Sequence, residues 1–275
     1  MPSRFDDYRD GRVLFGDGFS EAEIEAWYQD EKEGYFNMGQ YFNPGEGHRI
    51  GSYGYHALNW HHAFSYLPAG ISFERVLGIG SAFGDELKPV KDRAMRITIL
   101  EPSDGFVHDK YEYVKPQPSG RIPFPDSAFD LVTCFGVLHH IPNVSFVVRE
   151  IGRCMKPGAW FLLREPTESM GNWDLVRPGL TRRERGIPFS ILLDIVRNAG
   201  LQIVHSRRCT FSITSRIQAM LTRHGGVYDR KWAVLLDDFV SNLPVWTKRY
   251  HPENLLQRFR PLSLYVVARK PVLPK

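Results

Sequence analysis

The chain has 275 residues, of which 43% are hydrophobic and 24% charged, so it can form one large domain with an elaboration or two small ones. It contains no run of eighteen apolar residues and no apolar core near its first residues, which argues against a membrane span and a secretory signal. The three cysteines are scattered without CxxC spacing, which argues against a zinc site and favours a reducing compartment. We therefore expect a soluble, cytoplasmic protein.

The net charge of +4 is distributed unevenly along the chain. Residues 1–170 hold 17 Lys+Arg and 24 Asp+Glu, whereas residues 171–275 hold 18 and 7. A basic C-terminal part suits an anionic ligand, and it suits equally well a solvated basic face.

The N-terminal segment is acidic and aromatic. Ser20 is followed three residues later by Glu23, a capping-box pattern that predicts the start of a helix. Residues 35–47 are rich in Gly and Asn, so we expect the helix to end before them.

A second helix is predicted over residues 52–67, and it carries His56, His61 and His62. Their spacing is not that of HExxH and no carboxylate stands among them, so we expect no metal site. This helix precedes the first strand, which makes the lining of a substrate site the alternative role for its polar side chains.

The pattern of the chain centres on a glycine-rich turn. Residues 76–79 are mostly apolar and suit a buried parallel strand, and small residues follow at every second position: Gly80, Ala82 and Gly84. Small residues allow the backbone to bend sharply and a ligand to lie against it, although ordinary strand-to-helix turns also use them. Pro89 limits any helix that follows, so the first crossover should be short.

Three further strands are predicted in the middle of the chain. Residues 97–101 form the next strand, which ends in Glu101, and an acid at this place accepts hydrogen bonds from ribose hydroxyls in nucleotide-binding sheets. Later strands precede His139-His140 and Glu165, with a helix over 145–155 between them. Because ligands lie beyond the carboxyl ends of parallel strands, these side chains should converge on one cleft with Gly80.

The C-terminal part predicts a helix over 190–200, a strand over 201–204 and a last strand over 262–269. The intervening residues would form a helical cap over the substrate site. The predicted organisation is therefore an extension over 1–70, a core over 71–210 plus 262–270, and a cap over 211–261.

Several motifs follow one another in a fixed order: the glycine turn, Glu101, Pro123-Phe124-Pro125 with Phe129-Asp130, and Leu138-His139-His140-Ile141. The series resembles class I S-adenosylmethionine-dependent methyltransferases, in the branch with PFP-x-x-x-FD and LHHI motifs. The resemblance covers about 74–210 and 263–270. It implies an α/β fold with a doubly wound, mostly parallel, seven-stranded sheet, and S-adenosylmethionine as cofactor.

The resemblance also implies the residues that bind the cofactor: Gly78, Gly80, Ser81, Ala82, Gly84, Glu101, Pro102, Phe135 and, from the N-terminal extension, Tyr41. The sequence departs from the family twice. Gly78 replaces the acid that closes the first strand, and residues 116–120 replace the acid that grips the adenine amino group. Backbone groups and apolar walls could hold adenine instead, and the alternative is a non-catalytic binding module.

A hydroxyl acceptor needs a base, and histidine suits this role near neutral pH. We expect His140 to be that base, oriented by Glu165, with His139 as second candidate; alternatively, the histidines only shape the pocket. The expected substrate-binding residues are His56, Arg182, Arg183 and Trp246, because arginine forks suit anions and Trp stacks on rings.

These residues favour O-methylation of a sugar or glycan, possibly an anionic one. A small aromatic or polyketide-like metabolite is the alternative acceptor. The sequence shows no Asn/Asp-Pro-Pro-Tyr-type motif and no continuous basic stripe, which argues against a nucleic-acid substrate. The oligomeric state stays open.

Overall fold

The computed structural model describes residues 3–42, 53–106, 108–177, 179–221 and 226–272, and of residues 32–42 it describes the backbone. Its strands form one sheet in the order β3-β2-β1-β4-β5-β7-β6. They are β1 (Phe73–Ile79), β2 (Ala94–Leu100), β3 (Glu112–Val114), β4 (Phe129–Phe135), β5 (Met155–Pro166), β6 (Gln202–Phe211) and β7 (Pro261–Arg269). β1 to β5 pair in parallel, and β7 runs antiparallel to both β5 and β6. The predicted seven-stranded, mostly parallel sheet is confirmed.

Helices cover both faces of the sheet, as the apolar strands require. The helices are α1 (Glu21–Phe42), α2 (His56–His62), α3 (Val144–Cys154), α4 (Phe189–Asn198), α5 (Ser212–Leu221) and α6 (Lys231–Ser241). α3 buries Val144, Val147, Val148 and Ile151, one apolar stripe at helical spacing, in the same core as residues of α4. On the other face, residues of α2 and α6 pack into a second core with β1, β4 and β5.

The first crossover, between β1 and β2, contains two short 3₁₀ turns at Asp85–Leu87 and Lys91–Arg93 rather than an α-helix. This confirms the short crossover predicted from Pro89. In the described part of the chain, no helix combines the length and apolar character that a bilayer crossing requires.

The N-terminal extension is anchored by an aromatic cluster. Phe15 stacks on Trp173 with ring centroids 4.9 Å apart, and Trp27 and Tyr250 pack into the same cluster. The predicted capping box is present, since the Ser20 amide donates to Glu23 Oε2 at 3.0 Å. The prediction that this helix ends before residue 35 was wrong: α1 continues to Phe42, because helix propensity is only a weak guide to where a helix ends.

The insertion before the last strand packs on one face of the sheet. Its helix α6 contacts β6 and α2. Asp237 of α6 is buried and accepts hydrogen bonds from the amides of Thr210 and Phe211, at 2.8 and 2.7 Å. These bonds fix the helix to the end of β6.

Candidate active site

A cavity of about 660 Å³ opens at the carboxyl ends of β1, β2 and β4, and α1 covers one side of it. This volume is typical of sites for small ligands and cofactors. Its lining includes Tyr28, Gln29, Glu31, Ile79, Gly80, Leu100, Glu101, Pro102, Ser103, Asp104, Gly105, Pro116, Gln117, Pro118, Gly120, Arg121, Ile122, Gly136, Val137, His140, Ile141, Pro142 and Val147. The cleft predicted from the strand ends therefore exists, and most of its wall is apolar.

The glycine turn forms the floor of the cavity at Gly80. This residue has a φ of 61°, and a Cβ there would lie 2.6 Å from Val137 Cγ2, so a side chain would strain the backbone and collide. Gly84 has a φ of 75°, and a Cβ there would lie 2.5 Å from Tyr111 Cε2. The other predicted turn residues, Gly78, Ser81, Ala82 and Gly84, are not among the described residues that line the cavity.

Gly78, which stands where the family has an acid, is required by local packing. A Cβ at this position would lie 2.3 Å from Ser81 Oγ and 3.1 Å from Leu87 Cδ1. The Ser81 hydroxyl thus occupies the space beside the end of β1 that an acidic side chain would need.

Glu101 follows β2 and points its carboxylate toward the turn. It accepts hydrogen bonds from the amides of Ala82, at 3.2 Å, and Ser103, at 3.1 Å, one on each oxygen. Burial raises its pKa above the ordinary value. Each carboxylate oxygen retains a second acceptor site, so Glu101 fits the role of receiving ribose hydroxyls.

The remaining cofactor predictions have mixed outcomes. Pro102 lines the cavity. The segment 116–122, which lacks the family's acid, contributes part of its wall, including the polar residues Gln117 and Arg121. Phe135 does not line it; the ring packs between Phe64 and Tyr265, at centroid distances of 5.9 and 6.0 Å. The side chain of Tyr41 lies outside the described part of the chain.

Glu165, at the end of β5, organises the turn that carries the two histidines. Its carboxylate accepts hydrogen bonds from the amides of Val137, Leu138 and His139, at 2.9, 2.8 and 3.2 Å. The same carboxylate lies 2.8 Å from His139 Nδ1. Glu165 is therefore the partner of His139 and of the turn, and the prediction that it orients His140 is corrected.

His139 is buried between two acids. Its Nε2 lies 3.4 Å from Glu184 Oε1, opposite the contact with Glu165. Although burial opposes the charged ring, the hydrogen bonds and charges of Glu165 and Glu184 raise the pKa of His139 to about 9. A charged histidine that does not line the cavity suits a structural role, so the prediction of His139 as an alternative base is not supported by its position.

His140 does reach the cavity wall. Its Nδ1 lies 2.8 Å from Oε2 of Glu31, which lines the cavity from α1. Glu31 is held in turn by the Thr181 hydroxyl at 2.6 Å and by the Arg183 amide at 3.2 Å. Sequence reasoning missed Glu31, and its only signal was its place in an extension expected to cover the cofactor.

Arg185 fixes the backbone of the histidine turn from behind. Its buried guanidinium donates to the carbonyls of Leu138, His139, Ile141 and Pro142, at 2.8 to 3.2 Å. These bonds hold His140 in place without contact between Arg185 and the cavity.

The predicted substrate-binding side chains do not line the cavity. His56 lies beside Tyr53, and its amide donates to Asp229 at 2.8 Å. Arg182 is exposed. Arg183 pairs with Asp30 at 2.6 Å, and Trp246 packs on Phe211 with centroids 4.8 Å apart. None of the four therefore contributes to the wall of this cavity, and their contact with the acceptor stays a prediction.

Two groups in the described part of the chain bring three possible metal ligands within 4.8 Å of one another: His61, His62 and Asp238, and His139, His140 and Glu184. In the second group both Nδ1 atoms already contact carboxylates, and His139 lies between two acids. We interpret this group as two histidines that neighbouring carboxylates hold in place.

The sheet order, the glycine turn against Val137 and the acid after β2 define a class I S-adenosylmethionine-dependent methyltransferase. A family model described as a methyltransferase domain matches residues 54–206, more than half of the chain. The chain therefore belongs to this methyltransferase family, and its cofactor is S-adenosylmethionine.

Individual relatives agree with this assignment. A ubiquinone biosynthesis O-methyltransferase of Burkholderia thailandensis is 25% identical over 178 residues, which cover 56% of this chain and 74% of that protein. The uncharacterized methyltransferase YcgJ of Bacillus subtilis is 32% identical over 99 residues, which cover 32% of this chain and 39% of that protein.

Solved structures share the fold. The [4+2]-cyclase SpnF superposes with a TM-score of 0.55 at 19% identity, covering 89% of this chain and 97% of that one. An S-adenosylmethionine-dependent methyltransferase from Mesorhizobium loti gives a TM-score of 0.50 at 17% identity, covering 77% and 97%. At these identities the similarity concerns the fold alone.

Proposed function

We propose that this enzyme methylates a hydroxyl group of a small aromatic acceptor. The observation that carries the proposal is the pairing of His140 with Glu31 on the wall of an otherwise largely apolar cavity. An apolar cavity with few polar groups suits an aromatic ring that presents one hydroxyl to be deprotonated. The similarity to proteins named ubiquinone biosynthesis O-methyltransferase supports the same class of acceptor.

The residues of this chain divide the work between binding and proton removal. Glu101 and Gly80 would hold the cofactor, which supplies the methyl group. With the Nδ1 proton of His140 directed at Glu31, Nε2 would be the nitrogen that takes the proton of the acceptor hydroxyl. Glu31 would then stabilise the imidazolium that forms on His140, while the deprotonated oxygen faces the cofactor.

A sugar or glycan acceptor has less support. The arginines and Trp246 that suggested it are occupied elsewhere or exposed, and they do not line the cavity. Sugar recognition would also need several polar partners for its hydroxyls, and the cavity wall is mainly apolar.

The test uses purified enzyme, S-adenosylmethionine and two sets of acceptors, catechols and monosaccharides. We expect methyl transfer to a catechol, and we expect His140→Gln to lower kcat by about 10² or more, as loss of a general base does, with S-adenosylhomocysteine affinity unchanged. His205→Gln is the matched control, since His205 stacks on Tyr66 away from the cavity. Turnover of sugars alone, or full activity of His140→Gln, would refute the proposal.

A further inference from the structure

Arg164 is a charged residue near the end of β5 that the proposed reaction does not use. It pairs in the sheet with Phe135 on one side and Tyr265 on the other. Its guanidinium lies over the ring of Tyr55 at 4.4 Å and within 5.9 Å of the ring of Tyr265. The charge is thus surrounded by aromatic side chains at the edge of the sheet where the cavity opens.

Arg164 is half-buried and interacts with the Tyr265 hydroxyl, but its guanidinium has fewer partners than those of two buried arginines, Arg185 and Arg260. Its Nη1 is buried and has no hydrogen-bond partner among the described residues, and none of their carboxylates lies within ion-pairing distance. By contrast, Arg185 donates to several carbonyls and Arg260 pairs with Glu168 at 2.8 Å. Because a buried donor without an acceptor is unfavourable, the unpartnered Nη1 gives Arg164 the character of a site that a ligand completes.

Gly136 connects this guanidinium to the cavity. Its amide donates to the Arg164 carbonyl at 2.7 Å, and a Cβ on Gly136 would lie 3.6 Å from Arg164 Nη2. Gly136 itself lines the cavity and has no side chain. No side chain at position 136 therefore stands between a ligand in the cavity and the guanidinium of Arg164. A larger residue at this position would separate the two.

One acid that the charge of Arg164 affects is Glu86, which is buried in the crossover after the glycine turn. Arg164 favours its charged form, but burial dominates and raises the pKa of Glu86 to about 7. Glu86 is therefore a poor permanent counter-ion at neutral pH, and the charge of Arg164 stays available to a ligand.

We propose that Arg164 is the binding site for a carboxylate in the cavity, because a guanidinium fork matches carboxylate geometry. Two molecules could present that group: the amino-acid end of the cofactor, or an acceptor that bears an acid. The inference depends on the proposed function only in taking this cavity as the reaction site.

The first experiment measures binding by calorimetry, without turnover. S-adenosylhomocysteine has the carboxylate, and 5′-methylthioadenosine lacks the whole amino-acid group. If the cofactor supplies the carboxylate, Arg164→Gln raises the Kd for S-adenosylhomocysteine by about tenfold or more, as loss of one charge-assisted hydrogen bond predicts. The Kd for methylthioadenosine should stay within about twofold of the wild-type value. Arg164→Lys, which keeps the charge but loses the fork, should give a smaller loss.

The second experiment tests the acceptor. With S-adenosylhomocysteine bound, 3,4-dihydroxybenzoate and catechol are titrated into the wild type and the Arg164 variants. If the acceptor supplies the carboxylate, Arg164→Gln raises the Kd for dihydroxybenzoate by about tenfold or more and leaves the Kd for catechol unchanged. The affinity for S-adenosylhomocysteine is then unchanged as well.

The matched control is Arg75→Gln. Arg75 also lies over an aromatic ring, 4.9 Å from the Phe129 centroid, but it is near the amino end of β1, whereas the cavity lies at the carboxyl ends of the strands. Arg164 variants that bind all four ligands like the wild type, or weaken carboxylate and non-carboxylate ligands equally, would overturn the inference. An enzyme that binds these ligands but methylates no hydroxyl would refute the proposed function. The test of Arg164 would still be valid, because it measures binding and not methyl transfer.

Discussion

The Nδ1 atom of His140 lies 2.8 Å from Oε2 of Glu31, although 109 residues separate the two along the chain. The contact joins the N-terminal helix to the turn after β4, so the extension supplies half of the proposed base. Trp27, one helical turn earlier, strengthens the junction by donating to the His140 carbonyl at 2.8 Å. A methyltransferase core without α1 would lack this pair.

Glu31→Gln should therefore lower kcat by about 10- to 10²-fold, because an amide stabilises the imidazolium less well than a carboxylate. Methyl transfer to a catechol measures the loss, and S-adenosylhomocysteine affinity should not change. Asp30→Asn is the control, since Asp30 pairs with Arg183 and does not line the cavity. Equal effects of the two variants would contradict the pairing with His140.

The charge cluster around His139 should make stability depend on pH. The pKa of His139 is about 9 when folded, against about 6.5 for the unfolded chain. Because folding raises the pKa of His139, its protonated form stabilises the folded state, and this stabilisation is complete below pH ~6.5. It is lost as the pH rises through about 9. Urea unfolding from pH 6 to 9.5 should show the decline in wild type.

Removal of the Glu165 carboxylate should destabilise the folded protein. Glu165→Ala should lower the free energy of unfolding by about 3 kcal/mol, since it leaves a buried charge and three amides without their acceptor. His139→Gln should flatten the decline with pH. A wild type whose stability is constant across this range would contradict the assignment of His139 as a charged structural residue.

Removal of the Glu101 carboxylate should weaken cofactor binding. We expect Glu101→Gln to raise the Kd of S-adenosylhomocysteine by about tenfold or more, because hydrogen bonds from ribose to a charged acceptor are lost. Glu112→Gln is the control, since Glu112 contacts Thr98 on the neighbouring strand and does not line the cavity. An unchanged Kd would mean that the ribose is held elsewhere.

Gly80 and Gly70 form a matched pair for the glycine turn. Both have positive φ, 61° and 72°, but a Cβ at 80 would meet Val137 whereas one at 70 meets nothing within 4 Å. Gly70→Ala should lose about 1 kcal/mol of stability from backbone strain, and Gly80→Ala should lose more, because its Cβ also meets Val137. Gly80→Ala should in addition weaken S-adenosylhomocysteine binding, which calorimetry would show; equal behaviour of the two would contradict a role for Val137 at the cavity floor.

Local patterns in the sequence were enough to predict the sheet, the turn and the acid after the second strand. Buried parallel strands are continuous apolar runs, and a tight turn needs small residues, so both leave a signature within a few neighbouring residues. Glu101 was predictable for the same reason, because it directly follows such a run.

The partners of polar side chains were decided by the tertiary structure. The sequence predicted that Glu165 and His140 both follow the carboxyl ends of strands. In the folded protein Glu165 contacts His139, and the partner of His140 is Glu31. The fold likewise removes Arg183 and Trp246 from the cavity and leaves Arg164 behind Gly136. Hydrogen bonds and ion pairs depend on distances of about 3 Å between residues far apart in the chain, and only packing of the complete fold sets such distances.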